Sequence, residues 1–311
     1  MSLPTPPKVA VVFPGQGSDS VGMGRDLYEQ SSSARDVFNE VDQELSRPLS
    51  QLIFDGPSED LRRTDNAQPA ITAVSLACIR ALEQEQGHPI AMSMVAGHSL
   101  GEYTALAAAG VLSVADTVRL VVERGRFMQE ACKKSPGGMV AVIGLDELVV
   151  EDICRQIGTY VANINGNEQI VISGDHLRLA KAIDLATIRG ARRCIPLKVG
   201  GAFHSGLMTP AQSGLERVID SLEFRDPAVP IIGNVKAHPL TTGSEIKTEL
   251  VTQLLACVQW KKTVGFMTNN GVDQFVEVGP GRLLTNLIRR IEPDANVFNV
   301  SDMASVQSFA A

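Results

Sequence analysis

The sequence predicts an α/β fold with a mostly parallel sheet and a smaller inserted domain, and three observations support that prediction. Short apolar runs, such as residues 8–13 and 92–97, alternate with longer segments of helical periodicity. Strands that alternate with helices are typical of parallel sheets. From Pro136 the pattern changes to β-α-β-β-α-β, the order of a ferredoxin-like unit. The chain has 311 residues, 44% of them hydrophobic, which is enough for one large core and a satellite domain.

The first part of the large domain contains two predicted strands and long helical stretches. The run KVAVVF, residues 8–13, predicts a strand that ends at the glycine-rich loop PGQGSDSVGMG. Helical periodicity extends from about Asp26 to Gln86, MSMVAG at 92–97 predicts the second strand, and a helix is predicted over 113–134. Loops at strand ends are where α/β sheets bind ligands, so the first loop is a candidate site.

The small domain is predicted from alternating short strands and helices. Its elements are a strand at 138–144, a helix near 146–157, strands at 161–165 and 169–173, a helix at 176–190 and a strand at 191–199. After GGAFHSG the earlier pattern resumes, with strands at 229–234 and 273–279 and helices near 245–258 and 281–291. The predicted division is therefore a discontinuous large domain, 1–134 and 201–311, with a small domain at 135–200.

Composition and charge exclude several classes of protein. The net charge of −7 argues against general binding to nucleic acid or to an anionic membrane, since both need a basic surface. The five cysteines form no CxxC pair or metal-ligand spacing, which indicates a reducing compartment and no zinc site. MSLPTPPK contains no apolar leader segment, and no stretch reaches the length of a membrane span. We therefore expect a cytoplasmic protein.

Ser99 lies in GHSLG, which fits the pattern G-x-S-x-G. In that pattern a tight turn between a strand and a helix exposes the serine as a nucleophile. An apolar strand precedes the motif and the strong helix former EYTALAAA follows it, as the chemistry requires. The helix N-terminus would also help to stabilise an oxyanion. The alternative is a turn serine that only caps the helix.

A serine nucleophile needs a base, and five histidines are candidates. His98, beside the serine, is predicted to pack on the sheet because adjacent strand side chains point in opposite directions. His88 and His238 precede prolines in turn-like sequence, and His176 begins a surface-type helix. His204, in GGAFHSG, remains, favoured from the residues alone only by elimination. A buried histidine with satisfied hydrogen bonds is the alternative for it.

Arg124 lies on the apolar face of the helix predicted over 113–134. Its helical neighbours three or four positions away are apolar: Leu120, Val121, Phe127 and Met128. An arginine there is costly to bury unless an anion meets it, and a guanidinium suits a carboxylate. The alternative is a long side chain that extends along the apolar face to the surface.

Eight motifs together resemble those of malonyl-CoA:acyl carrier protein transacylases, in the same order and over essentially the whole chain. They are FPGQGS (13–18), GMG (22–24), QPA (68–70), GHSLGEY (97–103), RGRFMQEA (124–131), GAFHS (201–205), VQW (258–260) and EVGPG (277–281). The chain is similar to the stand-alone bacterial enzyme of fatty-acid synthesis and, more distantly, to acyltransferase domains of polyketide synthases. This resemblance implies an α/β-hydrolase-like large domain with an inserted ferredoxin-like small domain.

The resemblance implies a role for each matching residue of the reaction centre. Ser99 would be the nucleophile and His204 its base. Arg124 would bind the malonyl carboxylate. Gln16 and Leu100 would supply the backbone N–H groups of an oxyanion hole.

The resemblance also implies residues that support the site. Gln68 and Asn165 match positions near the pocket, and the backbone near Gln259 would orient the base, with His98 beside the nucleophile as a further supporting residue. Phe203 beside the base leaves little room for an α-methyl group, which favours malonyl over methylmalonyl. At Asp19 the family often has glutamine, which leaves the contacts at the entrance open.

The predicted function is malonyl transfer from malonyl-CoA to the phosphopantetheine thiol of acyl carrier protein through a malonyl-serine ester. No metal or redox cofactor is expected, and the expected partners are malonyl-CoA and the carrier protein, with no nucleic acid and no membrane. A malonyltransferase of polyketide synthesis, a serine hydrolase and a non-catalytic CoA- or carrier-binding subunit are the alternatives. Acidic carrier protein would need clustered cations, for which Arg189, Arg192 and Arg193 are the candidates, although an ordinary solvated charge run is the simpler interpretation.

Overall fold

The computed structural model describes residues 8–311, within which ten strands form two sheets. The strands are β1 (Val9–Phe13), β2 (Met94–Gly97), β3 (Gly138–Ile143), β4 (Tyr160–Gly166), β5 (Gln169–Gly174), β6 (Arg193–Pro196), β7 (Ile231–Ile232), β8 (Pro239–Leu240), β9 (Gln274–Val278) and β10 (Asn296–Val300).

Fourteen α-helices of the same residues surround these sheets. They are α1 (Arg25–Gln30), α2 (Ser32–Leu45), α3 (Leu49–Asp55), α4 (Ser58–Leu61), α5 (Thr64–Gln86), α6 (Leu100–Ala108), α7 (Val114–Lys134), α8 (Glu147–Ile157), α9 (His176–Ile188), α10 (Thr209–Ser221), α11 (Gly243–Gln253), α12 (Trp260–Asn269), α13 (Leu283–Ile291) and α14 (Met303–Ala310). A short 3₁₀ helix, Gly206–Met208, precedes α10.

The larger sheet has the strand order β10-β9-β1-β2-β7-β8. Its neighbouring strands are parallel except at the edge, where β7 and β8 are antiparallel. The chain runs outward from β1 to β2 and β7 on one side and returns as β9 and β10 on the other. Such a switch point leaves a crevice at the carboxyl ends of the central strands. The loops after β1 and β2 therefore meet at one edge of the sheet.

The core lies on both faces of the larger sheet because its strands are buried on both sides. Along β1, Val11 and Phe13 pack into the apolar cluster of the α5, α6 and α7 layer. Ala10 and Val12 pack into the opposite cluster, which contains Trp260 of α12. Alternating side chains of one strand thus contribute to two helix layers, as in an α/β sandwich with a parallel sheet.

The smaller sheet is separate and antiparallel, with the order β4-β5-β3-β6. Two helices cover it, α8 and α9, which begin at the N-caps Asp146 and Asp175 and share an apolar cluster with the sheet. The segment between α11 and α12 contacts the smaller sheet at β4, where the backbone of Val258 hydrogen-bonds to Ala162 and Ile164. The predicted β-α-β-β-α-β order of this segment is confirmed.

The structure differs from the sequence prediction in the second half of the larger sheet. The strand predicted at 229–234 is only Ile231–Ile232, and the helix predicted near 245–258 ends at Gln253. The chain turns after Gln253, where the N–H groups of Leu255 and Ala256 donate to the carbonyls of Thr252 and Gln253, and Val258 then pairs with β4. Residues 296–300 and 303–310, for which no element was predicted, form β10 and α14. No helix among the described residues is long and apolar enough to cross a membrane.

Candidate active site

Ser99 occupies the sharp turn between β2 and α6, at the carboxyl edge of the larger sheet. Its backbone has φ 53° and ψ −101°, a strained conformation for a residue with a side chain. A Cβ on Gly97 would lie 1.9 Å from the carbonyl carbon of Gly101, and one on Gly101 would lie 2.0 Å from the carbonyl oxygen of Phe13. Both glycines of the motif are therefore required by the close approach of the backbone.

The Ser99 hydroxyl does not cap its helix and instead contacts His204, with Oγ 2.7 Å from Nε2. On the other side of the ring, Nδ1 lies 3.0 Å from the carbonyl oxygen of Gln253 and 3.1 Å from that of Ala256. Carbonyl oxygens only accept, so Nδ1 carries the proton and Nε2 is the free acceptor. The Ser99 hydroxyl therefore donates to Nε2, the arrangement that a general base needs.

The backbone that orients His204 belongs to Gln253 and Ala256, so the expectation that placed it near Gln259 is wrong. The Gln259 N–H donates to the carbonyl of Asn234 instead. Gln253 is the last residue of α11, and the last carbonyls of a helix lack intrahelical partners. The Gln253 carbonyl, which also accepts from the Ala256 N–H, accepts the histidine N–H, so backbone orients the ring in place of an acidic side chain.

Burial and neighbouring charge keep His204 neutral. Burial lowers its pKa to about 3, the Arg124 charge and then His98 contribute in the same direction, and the carbonyls of Gln253 and Ala256 oppose them. A neutral imidazole can accept the serine proton at neutral pH. His204 also has a positive φ, 54°, so both residues of the pair hold strained backbone.

Arg124 of α7 is only 1% exposed, which contradicts the alternative of a side chain that extends to the surface. Nη1 donates to Gln68 Oε1 at 2.8 Å, and Nη2 donates to Ser99 Oγ and to Gln253 Oε1, both at 3.1 Å. The guanidinium carbon lies 4.8 Å from the centre of the Tyr103 ring, within cation–π distance.

These partners of Arg124 are neutral, and no carboxylate of residues 8–311 forms an ion pair with it. Its Nε has no hydrogen-bond partner among the same residues. A buried guanidinium with only neutral partners retains a strong attraction for an anion. The site can therefore bind a carboxylate beside the nucleophile.

A narrow cavity of about 80 Å³ contains Ser99, His204 and Arg124 in its wall, together with Gln16, Leu100 and Phe203. It adjoins a second cavity of about 370 Å³ that includes Asp19, Asn165 and Lys198, and both cavities share Gln16 and His98. In the part of the chain that the structure describes, no three His, Cys, Asp or Glu side chains converge to hold a metal ion.

Two of the predicted site residues contact each other at the junction of the two sheets. His98 is buried, its Nε2 lies 2.8 Å from Asn165 Oδ1, and its ring centre lies 5.7 Å from that of Trp260. Burial lowers the pKa of His98. The ring therefore contacts β4 and α12, and it makes no hydrogen bond to Ser99 Oγ, whose partners are His204 and Arg124.

Three further residues at the site were not predicted from the sequence. The Asn234 side chain spans the turn, since Oδ1 accepts from the Ser99 N–H and Nδ2 donates to the Gly97 carbonyl, both at 2.7 Å. The Gln253 side chain hydrogen-bonds to Arg124, to the Ser99 carbonyl and to Glu102. Glu102 could have been predicted from the sequence because it lies in the motif GHSLGEY, whereas no local pattern indicates Asn234 or Gln253.

Of the three arginines considered for the carrier protein, two are paired with acids. Arg189 lies 2.7 Å from Asp152, and Arg192 pairs with Glu168. Arg193 is exposed and makes no ion pair with any described residue. The paired charges favour the interpretation of a solvated charge run for most of this group.

Comparison with known proteins shows similarity over almost the whole chain. Residues 10–308 match the family described as Acyl transferase domain. The chain is 41% identical over 305 residues to a malonyl CoA-acyl carrier protein transacylase of Bacillus subtilis, covering 96% of this chain and 95% of that protein. A crystal structure of an acyl-carrier-protein S-malonyltransferase from Bartonella henselae has a TM-score of 0.92 and 42% identity, covering 97% and 98% of the two chains.

A further similar structure is a complex, described as a type II PKS acyl-carrier protein with its malonyl-transacylase. Its matching chain has a TM-score of 0.92 and 40% identity, and the match covers 96% of the present chain and 97% of that one.

Proposed function

Because the chain belongs to the acyl transferase domain family, we propose that it transfers a malonyl group from malonyl-CoA to the phosphopantetheine thiol of acyl carrier protein. Relatives at about two-fifths identity over nearly the full length carry the name of this activity. One observation assigns this activity to the site. A single hydroxyl, Ser99 Oγ, lies within hydrogen-bond distance of both His204 Nε2 and Arg124 Nη2.

The first half-reaction forms a malonyl-serine ester. His204 Nε2 takes the proton of Ser99 as Oγ attacks the thioester carbonyl carbon. The resulting oxyanion accepts from the backbone N–H groups of Gln16 and Leu100. His204 then returns the proton to the CoA sulfur as the carbon–sulfur bond breaks, so that the free thiol leaves and the ester remains.

The second half-reaction repeats these steps with the carrier protein. The phosphopantetheine thiol gives its proton to His204 and attacks the ester carbonyl, and Ser99 recovers the proton as the carbon–oxygen bond breaks. His204 accepts one proton and gives it up again in each half-reaction, so the reaction needs no cofactor to supply or remove protons. No metal or redox group has a role in this proposal.

Arg124 provides the selectivity for a dicarboxylic acyl group. Its guanidinium is buried in the wall of the narrow cavity and is held by Gln68 and Gln253, which leave its charge uncompensated. A malonyl carboxylate can form charged hydrogen bonds there, while an acetyl group leaves the cation unpaired. Phe203 in the same wall restricts space beside the α-carbon, which favours malonyl over methylmalonyl.

The wider context of the reaction also belongs to this proposal. Fatty-acid synthesis in the cytoplasm is the setting we favour, and the similar complex with a type II PKS carrier protein makes polyketide synthesis the second candidate. The two separate sheets support a large domain at 1–134 and 201–311, of α/β-hydrolase-like architecture, and a ferredoxin-like small domain at 135–200. The cleft between them would keep water from the ester.

A serine hydrolase is the contrasting class, and the products distinguish the two. Intact-mass measurement after mixing with malonyl-CoA should show one malonyl adduct, absent from Ser99→Ala, that moves to the phosphopantetheine group when holo carrier protein is added. The Ser99→Ala chain should unfold at the temperature of the wild type, since only a hydroxyl is lost. An adduct that disappears into free malonate at the same rate without carrier protein would identify a hydrolase.

A further inference from the structure

Gln253 makes contact with all three residues that the proposed reaction uses. Its backbone carbonyl accepts from His204 Nδ1 at 3.0 Å, and its side-chain Oε1 accepts from Arg124 Nη2 at 3.1 Å. Its Nε2 donates to the backbone carbonyl of Ser99 at 2.9 Å. The side chain is fully buried, so these contacts are not exchanged with solvent. The orientation of one amide therefore affects both the nucleophile turn and the guanidinium.

The Gln253 amide functions in only one of its two orientations. A rotation that exchanges Oε1 and Nε2 would place an NH₂ group against the Arg124 guanidinium and an oxygen against the Ser99 carbonyl. Donor would then face donor and acceptor would face acceptor, so both hydrogen bonds would be lost. Whatever selects the orientation of this amide thus also determines where the guanidinium lies.

Glu102 supplies the second acceptor for that amide. It is 1% exposed in the first turn of α6, and its Oε2 accepts from Gln253 Nε2 at 2.5 Å. The Ser99 carbonyl is shared, since it also accepts from the backbone N–H of Glu102. Without Glu102 one N–H of a buried amide would lack a partner, a loss that destabilises this orientation.

We propose that Glu102 is a positioning residue that fixes the Gln253 amide and, through it, the place of the Arg124 guanidinium that receives the acyl carboxylate. This inference rests on the proposed function and adds a residue that determines acyl selectivity without touching the acyl group. It predicts that a change at Glu102 affects malonyl transfer more than acetyl transfer.

The role requires an acceptor oxygen rather than a negative charge. Burial and the neighbouring Glu249 of α11 raise the pKa of Glu102 well above its usual range, and the Gln253 amide, the Asn234 backbone and the Arg124 charge oppose that rise. Glu102 Oε1 has no hydrogen-bond partner among residues 8–311, which also disfavours the ionised form. The carbonyl oxygen of the neutral acid still accepts from Gln253, and the amide of glutamine offers the same oxygen in the same shape.

The experiment compares kcat/KM for acylation by malonyl-CoA and by acetyl-CoA in Glu102→Gln, Glu102→Asp and Glu102→Leu. Asp keeps the acid but is one methylene too short to reach Gln253 Nε2, and Leu removes the acceptor. We expect kcat/KM for malonyl-CoA to fall about tenfold or more in Glu102→Asp and Glu102→Leu, and kcat/KM for acetyl-CoA to fall less than about threefold. Gln should restore malonyl transfer to within about threefold of the wild type, with the same pH profile.

The matched control is Glu249→Gln, which changes the neighbouring buried acid. Glu249 Oε1 accepts from the Val235 N–H rather than from Gln253, so the malonyl-to-acetyl ratio should stay at the wild-type value. Equal losses for the two substrates in Glu102→Asp, or a Gln variant as damaged as Leu, would overturn the inference. The malonyl adduct on the wild type tests the proposed function separately, since it does not depend on any Glu102 variant.

Discussion

Arg124 Nη2 lies 3.1 Å from Ser99 Oγ, so the guanidinium that can bind a carboxylate also touches the nucleophile. The same charge helps to lower the pKa of His204, the partner of that nucleophile. The cation that can bind the acyl carboxylate therefore also acts on the Ser99–His204 pair. Malonyl-CoA and acetyl-CoA share the effect on the pair and differ only in the carboxylate, so comparison of the two substrates separates these roles.

Arg124→Ala should lose malonyl transfer and largely keep acetyl transfer. Breaking a buried charge pair from one side costs about 3–5 kcal/mol, or on the order of a hundred- to a few-thousand-fold in kcat/KM for malonyl-CoA. Acetyl-CoA has no carboxylate to pair, so its kcat/KM should change by less than about tenfold. The measurement is acylation of Ser99 by each substrate in both proteins. Equal losses would mean that Arg124 supports the fold or the Ser99–His204 pair and does not bind the acyl carboxylate.

The acylation rate should not fall as the pH decreases through about 6.5, the ordinary range of a histidine. Burial and Arg124 lower the pKa of His204 to about 3, so the imidazole remains an acceptor well below neutrality. A pH profile of kcat/KM with acetyl-CoA avoids titration of the malonyl carboxylate. In Arg124→Met the acid limb should move to higher pH because one charge that opposes protonation is gone. An acid limb near 6.5 in the wild type would contradict this prediction.

The same shift predicts how stability depends on pH. The unfolded chain binds a proton at this histidine below about pH 6.5, while the folded chain binds it only near pH 3. The contribution of His204 to stability is therefore fully present above the unfolded pKa and decreases as the pH falls towards the folded one. The free energy of unfolding, measured with urea at about pH 7 and about pH 5, should decrease less between the two pH values in His204→Gln than in the wild type. An identical loss in the two proteins would assign the effect to other groups.

Asn234 should stabilise the strained turn at Ser99. Its side chain donates to the Gly97 carbonyl and accepts from the Ser99 N–H, so Asn234→Ala leaves two buried backbone groups without partners. We expect a loss of about 1–3 kcal/mol in the free energy of unfolding, measured by urea denaturation. Asn234→Asp keeps the acceptor for Ser99 but loses the donor for Gly97, and it should lower the acylation rate as well. Wild-type stability in Asn234→Ala would show that the turn holds without this bridge.

Arg193 is the cation of the small sheet most available to an acidic carrier protein. Arg193→Glu should raise the KM for carrier protein, more at low salt, and leave acylation by malonyl-CoA unchanged. Arg126→Glu is the matched control, because it makes the same change in net charge at an exposed site that already pairs with Glu123 and Glu130. An equal rise in KM for both variants would indicate a general charge effect rather than a docking contact.

The sequence by itself indicated the α/β class, the separate antiparallel unit and the two residues whose local surroundings are diagnostic. Ser99 follows a strand and precedes a helix between glycines, and Arg124 lies on an apolar helix face. Both are signals carried within a few residues of the chain, where strand and helix periodicity decides which way a side chain points. The resemblance to a family then assigned His204 the role of base and added Gln68 and the other pocket residues by position.

Only the tertiary structure decided which distant groups meet at the site. His204 was reached from the residues alone by elimination, and its orienting carbonyls belong to Gln253 and Ala256, not to Gln259. Asn234 lies 135 residues from Ser99 in sequence, yet its side chain bridges the turn. Such contacts depend on where α11 ends and on how the chain after it pairs with β4. The residue at which α11 ends results from competition between long-range hydrogen bonds and local helix propensity. A short window of sequence contains only the helix propensity.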